Sequence, residues 1–147
     1  MIIEIWTILN PIIRTFIYLT ALYSIGCVLF KVHFHKFFNE EINIYCKKII
    51  RDSAFLGLII SILAFLSVAG NLGGEIQSIF EIDLIELSFE TMQGKSYLLM
   101  IVGFSFLFFS YYFQLIFMNA FNIIGTVLIL ISFIVIGHSL SQGIYTQ

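Results

Sequence analysis

Charge is what this sequence has least of. Only 11% of its 147 residues are Asp, Glu, Lys or Arg, 60% are hydrophobic, and mean hydropathy is +1.03. A soluble domain carries about 25% charged and 45–50% apolar residues, so a water-soluble globular fold is excluded and an integral membrane protein is predicted. The formal net charge of −2 leaves no basic surplus, and nucleic acid is not an expected partner. Cysteine is scarce too: Cys27 and Cys46 alone do not make a disulfide framework. No P-loop, G-x-S-x-G, H-E-x-x-H or C-x-x-C occurs, so hydrolase and kinase chemistry have no support and an enzyme is not expected. The start, Met-Ile-Ile-Glu-Ile-Trp, lacks a basic n-region and a small-residue cleavage site. It reads as the head of a retained helix and not as a signal peptide.

What the sequence does have is long apolar runs. At about 20 residues per crossing, four helices are expected at about 5–30, 53–72, 96–116 and 120–141. The predicted fold is an all-α integral membrane protein, a four-transmembrane-helix bundle in one domain over 1–147. Asn119 and Asn122 mark the expected tight turn between the last two helices. The connection 31–52 holds Lys31, Lys36, Lys47, Lys48 and Arg51, while 73–95 holds Glu75, Glu81, Asp83, Glu86 and Glu90. By the positive-inside rule the first is cytoplasmic, which puts the second and both termini outside. Within the outer loop, Ile76, Ile79, Phe80, Leu84 and Leu87 approximate a helical stripe, so a short interfacial helix is expected there.

Against this apolar background a few polar side chains stand out. Tyrosines aside, His138 is the only ionisable side chain after Lys95, and it falls about one turn from the predicted outer surface. A ring at that depth needs a partner or a role. Two readings are open: a hydrogen-bonded tie between helices, or a metal or haem ligand at an outward vestibule. Imidazole suits copper, iron and zinc, and thioether sulfur selects Cu(I). Met92 and Met100 flank the same outer level and are the available thioethers, though either alone is more often core packing than a ligand, and only convergence with His138 changes that. Arg14, about 12 Å beyond the interfacial Trp6 along the first helix, is too deep for an end residue. It is read as binding an anion, pairing with another helix, or snorkelling to the interface. His33-x-His35 with Cys46 is a further candidate for soft-metal transfer. It is disfavoured by the flanking Lys31 and Lys36, and because alternate residues do not share a helix face.

In these residues the chain resembles the amino-terminal half of the CopD family of bacterial inner-membrane copper-resistance proteins. Four motifs carry the resemblance, in order: Arg14 with Gly26; the exit Gly70-Asn71-Leu72-Gly73-Gly74; the entry Thr91-Met92-Gln93-Gly94; and the ending Gly137-His138. The resemblance implies copper uptake or resistance at the bacterial inner membrane, with His138 as a carried-over ligand and Arg14 as a carried-over position. It also implies a copper-binding protein on the outer side as a partner. Two departures bear on this. Family members have about twice as many helices, with further histidines after the Gly-His point, and their first helix often has a histidine where Ile17 and Tyr18 stand here. One imidazole and two thioethers make an incomplete copper site, so a half-size unit completed by a second copy or another membrane subunit is expected. The alternatives are a non-catalytic accessory subunit of a larger membrane complex and, last, a b-type haem held between two His138 rings of a dimer.

Overall fold

A computed structural model describes residues 2–37, 39–112 and 115–143, with side chains described for all of these except 2–4, 35, 115, 116 and 138–143. Five α-helices follow one another: α1 (Ile2–His33), α2 (Glu40–Gly73), α3 (Ile82–Glu90), α4 (Met92–Ser110) and α5 (Leu115–Gly143), with 3-10 turns at His35–Phe37 and Gln77–Phe80. Among the described residues there is no strand. The segments Ile5–His33, Glu40–Gly73, Met92–Ser110 and Phe117–Gly137 are long and apolar enough to cross a membrane. The short α3 occupies the loop where an amphipathic helix is expected.

Two expected boundaries shift. Most of the connection 31–52 is helix, because α2 starts at Glu40. Its cap, Asn39, accepts a hydrogen bond through its side-chain oxygen from the Ile42 amide at 2.9 Å, and Glu40 and Glu41 fill the first turn. Hydropathy marks only the apolar part of such a helix; capping and first-turn carboxylates extend it beyond that part. The second shift is a correction. Asn119 and Asn122 do not form the turn between the last two helices but lie inside α5, with the chain turning at Tyr111 and Tyr112. Asn122 is 4% exposed, and its burial against neighbouring helices overrides its weak preference for turns.

The bundle is built around α2, which packs on α1 at one side and α4 at the other; α4 packs in turn on α5, and α1 and α5 barely meet. Small residues make this possible. Ala54, Gly57, Ser61 and Ala64 are all buried on α2, and helices associate closely where side chains are small. The tightest approach joins α4 to α5. A Cβ at Gly103 would stand 2.9 Å from the Gly125 carbonyl oxygen, and one at Gly125 would stand 2.7 Å from that of Gly103. The Ser96 hydroxyl fastens the same pair by donating to the Ser132 carbonyl at 2.6 Å in the buried interior. Phe104, Met100, Leu107 and Ile129 close the core with no exposed surface.

The two ends differ in charge. One end gathers the amino terminus of α1, the carboxyl terminus of α2, α3, and the acidic side chains of the 73–95 loop. The Asn10 side-chain amide there donates to the Asn71 side-chain oxygen at 3.1 Å, and Asn71 itself donates to the Ser67 carbonyl at 2.6 Å. The opposite, basic end holds Lys31, Lys47 and Arg51. Arg51 is paired with its neighbour Asp52 at 2.7 Å and lies over the Tyr111 ring, 4.8 Å from its centroid.

Candidate functional site at the acidic end

The elements that carry the candidate side chains are fixed by local chemistry at two loops. α2 ends on Gly74, whose φ of 77° is left-handed and whose amide donates to the Gly70 carbonyl at 2.9 Å. Only glycine adopts that conformation without a Cβ penalty, so the glycine-rich exit is a helix stop. α4 starts on Thr91, whose hydroxyl accepts from the Gly94 amide at 2.9 Å, a side-chain cap for an otherwise unpaired donor. A Cβ on Gly94 would overlap the Ser88 carbonyl of α3. The Thr-x-x-Gly spacing therefore does two jobs: it caps α4 and lets α3 fold down beside it.

Arg14 lies on α1 in a small cavity of about 10 Å³ with Ile17, Tyr18, Tyr97, Met100, Phe133 and Ile136. That volume is at the lower bound for a single water. The guanidinium is half-buried, and its Nε has no hydrogen-bond partner among the described residues. A buried N–H in an apolar wall favours an acceptor, and the volume suits a single water. Tyr97 is 2% exposed, and its hydroxyl accepts from the Gln93 amide nitrogen at 3.3 Å. Tyr18 stacks on Phe133, with centroids 5.1 Å apart and rings 17° from parallel. Tyr97 and Phe133 are members of this site that sequence reasoning missed. The available signal for Tyr97 was its place one turn after Gln93, at the polar start of α4.

The structure brings Met100 to Arg14 but separates Met100 from Met92. Met100 is wholly buried and lines the cavity that Arg14 lines, whereas Met92, the first residue of α4, is 57% exposed. They are eight positions apart on α4, about 12 Å of helical rise. A guanidinium charge on the wall of this small cavity disfavours a cation inside it. Met92, at the mouth beside the acidic α3, carries no such penalty. His138 belongs to α5, two residues beyond Ile136 of the Arg14 cavity, about 3 Å of rise; its side chain lies outside the described residues.

The basic end holds the remaining candidates apart. His33 is exposed and set edge-on to Phe34, Cys46 is buried, and the His35 side chain lies outside the described residues. Among the described residues, no three His, Cys, Asp or Glu side chains group as a metal site. No protein-family model matches the chain, and no curated protein or solved structure does either.

Proposed function

We propose that the chain is a CopD-like, half-size unit for copper handling, held in the bacterial inner membrane by its four long helices with the basic end cytoplasmic. What supports this reading is that the candidates share the acidic half of the bundle. Arg14 of α1 and Met100 of α4 line one cavity with Ile136 of α5, Met92 starts α4 at the same end, and His138 lies two positions beyond Ile136 on α5. Three of the four family-like motifs also have a local role at this end: Arg14 in the cavity, the Gly70–Gly74 helix stop and the Thr91 cap. In this reading Cu(I) is the cargo. It is collected at the acidic mouth by the Met92 thioether and the His138 imidazole, soft and borderline donors suited to it. The anionic side chains of α3 raise its local concentration. Arg14 opposes a bare cation further in, so inward passage requires an anionic or sulfur donor from a second copy or another subunit.

The test is a Cu(I) titration of detergent-purified protein run together with its oligomeric mass. His138→Ala is expected to abolish binding, and Met92→Leu to weaken it by about tenfold or more, about 1.4 kcal/mol. Cu(I) binding that survives His138→Ala, or none in the parent protein, removes the copper reading and leaves a non-catalytic accessory subunit.

A further inference from the structure

The seam between α1 and α5 is open. Where α2 closes on α1 and α4, and α4 on α5, the first and last helices leave a groove of about 400 Å³ between them. Its walls are apolar: Leu22, Ile25, Gly26 and Leu29 from α1, with Leu130 and Phe133 from α5. From Tyr18 to Leu29 the groove follows twelve residues of α1, about 16 Å of rise. The hydrocarbon core of a bilayer is about 30 Å thick, so the groove is as long as one leaflet is deep. At mid-bundle it is closed by the stacked rings of Tyr18 and Phe133, with Arg14 beyond them.

At the other end stands a charge. Lys31 follows Leu29 by two residues, and its ammonium reaches across to α5, 3.6 Å from the Met118 sulfur. The same two helices therefore form the groove and hold the ammonium at its basic end. Thioether is a weak acceptor and an ammonium has three donors, so Lys31 has N–H groups to spare for a stronger acceptor. Gly26 fits this picture. A Cβ there would meet nothing within 4 Å, so this glycine does not serve helix packing; its missing side chain is part of the groove's free volume.

We infer that the α1–α5 groove binds one acyl chain of an anionic phospholipid from the leaflet at the basic end, with the lipid phosphate on Lys31. The inference rests on the membrane-spanning reading and is independent of copper. The length of the groove selects a chain reaching one leaflet's depth, the aromatic stack stops its tip, and the ammonium selects the headgroup. Lys47 lies on the same end of the bundle, while Arg51 is neutralised by Asp52, so lysines supply the complementary charge.

The experiment is native mass spectrometry of the full chain in neutral detergent, titrated with phosphatidylglycerol and with phosphatidylcholine of identical acyl chains. One phosphatidylglycerol per chain is expected, preferred over phosphatidylcholine by about fivefold for one ammonium near the surface. Lys31→Gln should erase the preference while leaving tail-dependent binding. Gly26→Leu, which fills the groove from α1, should remove both lipids, and Leu130→Trp should do the same from α5 if the first variant does not fold. Equal affinity for the two lipids in the parent chain would mean annular lipid only and overturn the proposal. So would lipid retained by a folded groove-filling variant, or a groove-filling variant that converts a dimer to a monomer with no change in bound lipid, which assigns the groove to a second copy.

Discussion

At the scale of single residues, glycine identity separates into two physical roles that the letter G does not distinguish. Gly103 and Gly125 sit where two backbones touch, each within 3 Å of the other's carbonyl once a Cβ is added. Gly26 faces open volume. Gly125→Leu is therefore expected to force α4 from α5 and destabilise the protein by about 1–3 kcal/mol. Gly26→Ala is expected to be neutral or stabilising by up to about 1 kcal/mol through helix propensity. Thermal unfolding in detergent, followed by circular dichroism, compares the two, and equal losses would refute the assigned contacts. Sequence alone does not separate the two roles, because spacing reports that a residue is small and not what stands opposite it. Arg14 was legible as out of place from its depth, but its surroundings were not. Tyr97 and Phe133 lie about 80 and 120 positions away along the chain, and only packing of α1 against α4 and α5 assembles them.

At the scale of elements, the ends of helices matter more than their middles, since apolar middles are alike and the termini leave unpaired backbone groups. Thr91 is the clearest case, with its hydroxyl on the Gly94 amide at 2.9 Å and also donating to the Ser88 carbonyl at 2.9 Å. Thr91→Ala is expected to cost about 1 kcal/mol and to loosen the α3–α4 corner first. Hydrogen exchange should show faster exchange at Gly94 and Lys95 than in the middle of α4. Thr91→Ser should retain protection, which distinguishes loss of the cap from loss of the methyl. The Thr-x-x-Gly motif was visible in the sequence as a pattern, and its capping role follows from residue type. The overlap that keeps Gly94 a glycine does not, because it depends on where α3 folds back. The break between α4 and α5 shows the reverse. Asparagine marked the turn by local preference, but burial of Asn122 in the helix pair outweighed a preference worth less than about 1 kcal/mol.

At the scale of the whole molecule, the separation of charge along the bundle is what the proposed orientation in a membrane rests on. Five of the seven basic residues cluster at 31–51, and five acidic ones at 75–90. A cysteine introduced at Glu81 is expected to react with a membrane-impermeant maleimide in intact cells. One introduced at Lys48 is expected to react only after permeabilisation, with Cys27 and Cys46 replaced by alanine in both. The opposite labelling would invert the proposed topology and place the Met92 mouth on the cytoplasmic side. The copper reading would then need inner-side delivery, whereas the lipid groove, tied to the basic end whichever leaflet that faces, would stand.

Composition and hydropathy sufficed for the helical class, the number of long apolar helices, the short helix in the acidic loop and the charge difference between the ends. Each of these is a local property, read from a window no longer than one helix. Tertiary packing alone decided which helices are neighbours. It put Met100 and Arg14 on the wall of one cavity and left Met92 outside, and it opened the α1–α5 seam, because contacts between residues far apart in the chain depend on the shapes of several helices at once.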